Sequence, residues 1–412
     1  MNHLLHTLLA LASVIVTARA VGSIFKFLGQ PPVIGEVIGG ILLGPTFLGR
    51  HLPEASAFLF PLSTLPFLAV IAQLGVIFYM FVVGLELDLK LLRKSGHATL
   101  AISHGSILFP FLLGAYFALK HYSVLSAPDV PFTNFALFLG VSMSVTAFPV
   151  LARILTDRKI HRSRMGTVAL TCAAIDDVTA WCLLAVVVSI VHSKLGGAVW
   201  TIVLTFAYIA AMFFIGGPLI RRLVPWLEKF DQMTEGGIAI FFVGLLLSAL
   251  ATEAIGIHAI FGAFLLGAVT PHDSRVAKEL TNRIEDLVRI MFLPAFFAYT
   301  GMRTQIGLLT TSADWELCGL IILVATVGKF GGTFVSALFS GLNWRDSAAL
   351  GVLMNTRGLV ELIVLNIGLD MHVITPRLFA MLVMMALVTT FMTTPLLHLL
   401  TRNHPWAQED AH

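Results

Sequence analysis

Long apolar runs, separated by short clusters of charged residues, proline and glycine, make up almost the whole chain. A run of about 20 apolar residues is long enough to cross a bilayer as an α-helix. The pattern therefore predicts an all-α polytopic membrane protein. About thirteen transmembrane helices are expected, near residues 4–25, 31–49, 66–88, 97–119, 133–156, 165–192, 198–220, 235–252, 256–270, 284–302, 314–341, 346–368 and 377–400.

Composition agrees with a chain that lies mostly in lipid. Hydrophobic residues make up 57% of the 412 residues and charged residues 12%, whereas charged residues make up about 25% of a typical soluble domain. The connecting loops are short, so we expect a single membrane transport domain over 1–412, with no cytoplasmic regulatory domain and no nucleic-acid partner. The three cysteines all lie in apolar segments, where a disulfide framework is not expected.

Basic residues outside the predicted spans fall unequally on the two sides of the membrane. The N-terminus is expected outside and the C-terminus in the cytoplasm, because cytoplasmic loops carry the excess of Lys and Arg. The smaller set is Arg50, Lys120, Lys194, Arg303 and Arg377. The larger set is Lys26, Lys90, Arg93, Lys94, Arg158, Lys159, Arg162, Arg164, Arg221, Arg222, Lys229, Arg275, Lys278, Arg283, Arg345 and Arg402.

Four spans place polar residues at a similar depth. Asp176 follows the inner end of its span by about 12 residues, which is roughly 18 Å at 1.5 Å per residue. Lys329 lies about 14 residues, or roughly 21 Å, from the outer end of its span. Polar breaks interrupt the other two spans near the same level, and these breaks contain Ser144, Thr146, Pro149, Asn355, Thr356, Arg357 and Glu361.

Asp176 and Asp177 are adjacent in an otherwise uncharged span. Ionised groups inside a membrane are costly and usually functional, and neighbouring residues on a helix point about 100° apart. We therefore expect one carboxylate to pair with Lys329 and the other to line a cavity, where it titrates or binds a small cation. The alternative is a structural pair satisfied by Lys329 and by hydroxyls such as those of Thr171 or Thr179.

The two polar breaks, "VTAFP" and "NTRG", lie seven spans apart, an offset that reverses the direction of the chain. This arrangement fits an inverted-topology repeat with two broken crossing helices, whose unwound backbone presents carbonyls and helix ends to an ion. Two independently kinked helices are the alternative.

Other classes of membrane protein fit less well. No repeated carbonyl-loop motif of a channel filter is present, and an intramembrane aspartyl protease would need its two aspartates on separate helices. An ion-coupled symporter of a small organic solute shares the inverted-repeat architecture and remains the alternative function. In both cases the chain is a transporter and not an enzyme.

The chain resembles the monovalent cation/proton antiporter superfamily, in the branch with bacterial sodium/proton and potassium-efflux antiporters and plant cation/proton exchangers. The matching motifs cover most of the sequence: "PPVIGEVIGGILLGPTFLG" (31–49), "FVVGLELDL" (81–89), "SVTAFPVLARIL" (144–155), "AIDDVTAW" (174–181), "FGAFLLGAVTP" (261–271), "FFAYTGMRT" (296–304), "GKFGGT" (328–333) and "MNTRGLVELIVLNIGLD" (354–370). Plant exchangers usually have Asn-Asp where this chain has two aspartates.

The resemblance implies that Asp177 binds the monovalent cation and that Asp176 pairs with Lys329. It further implies a homodimer in a bacterial inner or plasma membrane, without a cofactor, in which a core (97–192 and 284–400) moves against scaffold and dimerisation helices (4–90 and 198–270). We expect Na⁺, or else K⁺ or Li⁺, to be exchanged for H⁺ by alternating access. A second proton on Asp176 or Lys329 would make the exchange electrogenic.

Overall fold

The computed structural model describes residues 3–87, 96–158, 160, 163–192, 198–229 and 234–401. Over these ranges the chain is helical and has no β-strand, which confirms the predicted all-α class. The end of the predicted span 66–88 lies outside the described residues. So do seven of the basic residues used to predict orientation, namely Lys90, Arg93, Lys94, Lys159, Arg162, Lys194 and Arg402.

The described helices are numbered in chain order. They are α1 (His3–Phe27), α2 (Pro32–Leu43), α3 (Leu48–His51), α4 (Pro53–Leu59), α5 (Leu65–Glu86), α6 (His97–Leu125), α7 (Phe132–Ser144), α8 (Phe148–Asp157), α9 (Arg164–His192), α10 (Ala198–Ala211), α11 (Gly217–Leu227), α12 (Glu235–Ile255), α13 (Ala259–Val269), α14 (Arg275–Leu287), α15 (Leu293–Arg303), α16 (Ser312–Phe339), α17 (Trp344–Met354), α18 (Leu359–Asp370) and α19 (Pro376–Thr401). Short π-helical segments, Met212–Gly216 and Val288–Phe292, join α10 to α11 and α14 to α15.

Ten helical stretches in the described part are long and apolar enough to cross a membrane, and an eleventh is the bent pair α17–α18. The predicted count of thirteen is therefore not confirmed. The predicted span 256–270 corresponds to α13, which at 11 residues is only about 16 Å long. The predicted span 284–302 begins in the charged part of α14, so its apolar stretch is shortened.

The chain divides into two compact units. The first unit contains 1–15, 58–90 and 185–299. Within it α5 and α13 approach at two glycines. A Cβ atom on Gly84 would lie 2.3 Å from the carbonyl oxygen of Phe264, and one on Gly267 would lie 2.3 Å from that of Phe81. Such contacts allow only glycine, because a side chain would force the backbones apart.

The second unit contains 16–57, 91–184 and 300–412. It holds both predicted polar breaks, both adjacent aspartates and Lys329. Its buried apolar core includes side chains of α8, α9 and α17, among them Leu151, Ala169, Leu350 and Leu353. The segment 16–57 also belongs to this unit. The moving core predicted from the sequence covers only 97–192 and 284–400 and does not include that segment.

Helix α16, which carries Lys329, is fixed at its start and along its length. A capping box begins the helix: the Thr311 hydroxyl accepts a hydrogen bond from the backbone N–H of Asp314, and the Asp314 carboxylate accepts one from the N–H of Thr311. Further along, Gly332 lies against α6, where an added Cβ would come within 2.5 Å of the carbonyl oxygen of Gly105. This approach brings the Lys329 side chain to the polar residues of α6.

The close approach of α6 and α16 can be tested with neighbouring glycines. We expect Gly332→Ala to lower the free energy of unfolding by about 1–3 kcal/mol, because the added methyl group meets backbone that must move. Gly331 is the matched control, since a Cβ there meets no atom within 4 Å and alanine favours a helix. Thermal unfolding in detergent measures both. Equal midpoints for the two variants would contradict the packing.

Candidate functional site

Two interruptions of helical structure meet inside the second unit. Helix α7 ends at Ser144 and α8 begins at Phe148, with an extended segment between them. The other interruption separates α17 from α18, which are bent by 45° at residues 355–358. Both interruptions lie in the segments for which the sequence predicts them. Pro149 stands in the first turn of α8, where its missing N–H leaves no intrahelical hydrogen bond unmade.

The backbones of the two interruptions are in direct contact. The N–H of Ala147 donates to the carbonyl oxygen of Thr356 at 3.0 Å. Close approach also requires Gly358, where a Cβ would lie 2.5 Å from the Val150 side chain. The hydroxyl oxygen of Thr146 lies 3.2 Å from the carbonyl oxygen of Met354. The two broken helices therefore cross at their interruptions.

Two buried cations satisfy the carbonyl groups that end α7. Lys329 Nζ donates to the carbonyl oxygen of Ser144 at 2.6 Å. The Arg357 guanidinium donates to those of Ser142 at 2.8 Å and Met143 at 2.5 Å. The last carbonyls of a helix lack intrahelical partners and carry the negative end of the helix dipole. The positive charges of Lys329 and Arg357 thus lie at the negative end of the α7 dipole.

Asp176 is fully buried and surrounded by donors. Its Oδ1 accepts from the Ser103 hydroxyl at 2.5 Å. Its Oδ2 lies 2.5 Å from the Ser106 hydroxyl, 2.9 Å from that of Thr146 and 2.9 Å from Lys329 Nζ. A carboxylate that receives several hydrogen bonds and an ion pair is stabilised in its charged form.

Asp177 has a very different environment from its neighbour. It is 3% exposed, yet its Oδ1 has no hydrogen-bond partner among the described residues. The backbone amide of Phe148, in the first turn of α8, faces the carboxyl group. A buried carboxylate with an unused oxygen is costly unless a proton or a cation joins it.

A second ion pair lies beside the first. Arg357 Nη1 donates to Glu361 Oε2 at 2.9 Å, one turn along the chain. Both side chains are completely buried, and Glu361 Oε1 has no hydrogen-bond partner among the described residues. The backbone N–H of Arg357 also donates to the Thr390 hydroxyl of α19 at 3.0 Å. Arg357 therefore links the two broken helices and α19.

The contacts join most of the residues that the sequence indicates. Hydrogen bonds to consecutive residues at the first interruption bring together Asp176, Lys329, Ser144, Thr146, Thr356, Arg357 and Glu361. Pro149 lies in the first turn of α8. Asn355 is the residue that follows α17, and its buried Oδ1 has no hydrogen-bond partner among the described residues.

The hydroxyls that satisfy Asp176 are not those considered from the sequence. Thr171 and Thr179 donate to carbonyls of their own helix. The donors are Ser103 and Ser106 of α6, together with Thr146. The two serines are three residues apart, so they share one face of a helix. That spacing in "SHGS" is the one sequence signal that would have indicated them.

The charges of the network do not balance when all groups are ionised. Three carboxylates, Asp176, Asp177 and Glu361, face two cations, Lys329 and Arg357, and all five side chains are at most 3% exposed. One proton or one monovalent cation would compensate the remaining negative charge. Asp177 Oδ1 and Glu361 Oε1 both lack a hydrogen-bond partner among the described residues, so the surplus charge can be compensated at either carboxyl group.

The chain is similar to known cation/proton antiporters. The model of the family described as "Sodium/hydrogen exchanger, transmembrane" matches residues 11–401. The Na⁺/H⁺ antiporter NhaS4 of Synechocystis is 42% identical over 396 residues, which cover 94% of this chain and 96% of that protein. Cation/H⁺ antiporter 20 of Arabidopsis thaliana is 39% identical and K⁺/H⁺ antiporter 1 of Saccharomyces cerevisiae 37% identical. They match 93% and 91% of this chain but 47% and 44% of their own lengths, so the chain spans about half of each.

The fold is also that of a solved antiporter. The sodium proton antiporter MjNhaP1 of Methanocaldococcus jannaschii superposes with a TM-score of 0.71 over 99% of both chains, at 15% sequence identity. At that identity the likeness concerns the fold alone. The family model matches nearly the whole chain, and NhaS4 is 42% identical to it. The chain belongs to the sodium/hydrogen exchanger family of transmembrane cation/proton antiporters.

Proposed function

We propose that this protein exchanges Na⁺ for H⁺ across a membrane by alternating access, with Asp177 as the shared binding site. One observation carries the proposal: a buried carboxyl group with an unused oxygen lies next to a carboxylate whose partners are complete. Na⁺ is the cation named for the similar NhaS4. K⁺, which is named for the yeast relative, and Li⁺ are the further candidates.

Exchange follows from competition at one group. A proton and a cation cannot both neutralise the single charge of Asp177, so each replaces the other when the site opens to one side of the membrane. The empty, ionised site would bury an uncompensated charge, which costs several kcal/mol. The protein therefore switches between its inward-open and outward-open states mainly when a proton or a cation occupies the site. Loaded transitions in both directions amount to exchange without net leakage of either ion.

The assembly and orientation expected from the sequence are part of this proposal. The ranges 97–192 and 284–400, which contain Asp176 and Asp177, would supply the moving core, and the ranges 4–90 and 198–270 the scaffold and the surface of a homodimer. The N-terminus would lie outside and the C-terminus in the cytoplasm of a bacterial inner membrane. The unequal distribution of basic residues supports that orientation.

Asp177→Asn tests the assignment of the site. We expect this variant to fold and to lose cation-driven proton movement, because an amide cannot take up a proton at neutral pH. The measurement is a pH-dye assay in proteoliposomes, with Na⁺, K⁺ and Li⁺ added separately. Asp129→Asn, in an exposed loop, is the control and should retain exchange.

Two results of that assay would count against the proposal. Appreciable exchange by well-folded Asp177→Asn would remove Asp177 as the obligatory site. Proton movement by the unaltered protein only after addition of an organic solute would instead favour the symporter. An antiporter needs no solute, so exchange with the salt alone separates the two functions.

The ion pair between Asp176 and Lys329 generates a second prediction. Lys329→Ala leaves the buried Asp176 carboxylate without its cation, and we expect a loss of about 3–5 kcal/mol in the free energy of unfolding. Changing Asp176 to Asn in the same protein should restore part of that loss. A double-mutant cycle of unfolding in detergent measures the coupling. Strictly additive losses would mean that the two side chains do not interact energetically.

The same pair provides a route to electrogenic exchange. A cation held at Asp177 lies near Asp176 and competes with Lys329 Nζ for Oδ2, which Nζ contacts at 2.9 Å. A buried ammonium group that loses its anionic partner releases its proton more readily. We therefore propose that Lys329 carries the second proton. Two protons for one cation move net charge, worth about 2.3 kcal/mol per 100 mV.

Current recordings on a solid-supported membrane test that stoichiometry. We expect the unaltered protein to give a net current that reverses with the Na⁺ gradient. Lys329→Arg should continue to exchange by the dye assay but lose the net current, because a guanidinium stays protonated. Dye-detected exchange by the unaltered protein that gives no current, and that ignores an imposed potential, would exclude the two-proton scheme.

A further inference from the structure

We propose that Ser103 and Ser106 of α6 are positioning residues for ion exchange: their hydroxyl groups keep the Asp176–Lys329 pair in its ionic form, so that Asp176 does not store a proton during the cycle. The inference rests on the proposed function, because it concerns which groups of that same site carry protons. It starts from two hydrogen bonds that the exchange scheme itself does not need.

Each serine donates a hydrogen bond to a different oxygen of the Asp176 carboxylate. Ser103 donates to Oδ1 at 2.5 Å and Ser106 to Oδ2 at 2.5 Å, and both serines are fully buried. Hydrogen bonds to a charged acceptor are about twice as strong as those between neutral groups. Each hydroxyl therefore favours the ionised carboxylate over the protonated one.

Ser106 also contacts the cation of the pair. Lys329 Nζ lies 3.3 Å from its hydroxyl oxygen, in addition to the contacts with Asp176 and with the carbonyl of Ser144. Ser106 thus accepts from the ammonium group while it donates to the carboxylate. Ser103 donates to the other oxygen of the carboxylate, Oδ1, which is not the one that Lys329 contacts. The two serines stabilise the ionic pair from different sides.

An ionic pair in an apolar interior competes with a neutral one. Transfer of the proton from Lys329 to Asp176 would leave two uncharged groups, which burial favours. Asp176 would then hold a proton that the cation must also displace. With the serine donors present, the Asp176 carboxylate remains charged, and protons are taken up at other groups of the site, such as Asp177 and Lys329.

Other charged groups act on the pair from the neighbouring elements. On α9 itself, Cys172 lies one turn before Asp176 and Asp177 follows directly. The Cys172 thiol lies 3.7 Å from the carbonyl oxygen of Thr99. Arg357 and Glu361, at the second interruption, lie close enough to influence Lys329. They form a pair of opposite charges with each other. The neutral donors that favour the charged form of Asp176 are therefore Ser103, Ser106 and Thr146.

The test is the pH dependence of Na⁺-driven exchange by full-length protein in proteoliposomes. We expect Ser103→Ala and Ser106→Ala to shift the profile toward higher pH, by about one unit in the double variant. At a fixed pH the apparent KM for Na⁺ should rise about tenfold, while the maximal rate at high pH stays within about twofold. Ser106→Ala should have the larger effect, since it also removes a contact of Lys329.

Controls separate this role from a structural one. Ser103→Thr keeps a hydroxyl and should restore the unaltered profile. Thr171→Val, on the same helix as Asp176, removes a hydroxyl that bonds only within its own helix and should leave the profile unchanged. Because the alanine variants could fold poorly, Ser103→Cys provides a weaker donor of similar size. It should give an intermediate shift.

Each outcome decides the proposal. Folded alanine variants whose pH profile and KM match those of the unaltered protein would overturn it, and so would lower stability with an unshifted profile. Na⁺-dependent thermal stabilisation in detergent, measured over the same pH range, supplies an independent readout of cation binding. Failure of the proposed function is distinguishable, since the unaltered protein would then show no exchange at all.

Discussion

The carbonyl groups that end α7 inside the protein impose the requirement on which the rest of the site depends. A helix that stops in an apolar region leaves its last carbonyls without partners, and water cannot replace them in the hydrocarbon core of a membrane. Lys329 and Arg357 supply the donors. Both cations are completely buried, so each in turn requires a nearby carboxylate.

The positions of the two aspartates follow from that requirement. Asp176 compensates Lys329, and Glu361 compensates Arg357. Asp177 is adjacent to Asp176 on α9 and points about 100° away, so it cannot share the same cations at contact distance. Because Asp176 and Glu361 each pair with a cation, Asp177 is the surplus carboxylate, and it lies where the backbone of α8 begins. A surplus of one negative charge is what a monovalent ion or a proton can fill.

Much of this arrangement is readable in the sequence because its most costly elements have strong signatures. Two aspartates in an uncharged span, a lysine at matching depth and proline or glycine within polar breaks cannot arise from simple helix packing. The number of spans was harder to predict, because hydropathy does not distinguish an 11-residue helix such as α13 from a full crossing. Serine in a long helix carries little information, and the contact between Ser103 and Asp176 joins residues 73 positions apart. That partnership joins α6 to α9, and no polar pattern in either helix indicates that these two helices meet.

The hydrogen bonds at Asp176 distinguish it from its neighbour Asp177. If Asp176 were as poorly bonded as Asp177, the two carboxylates would titrate as a coupled pair, and a proton taken up by the site would have no defined location. Asp176 receives hydrogen bonds from four donors, whereas Asp177 has an oxygen without a partner among the described residues. The two carboxyl groups are therefore not equivalent. The difference lies in hydrogen bonds from α6 and from the first interruption, not in the sequence of α9 itself. Two identical residues side by side therefore have different surroundings because different helices pack against them.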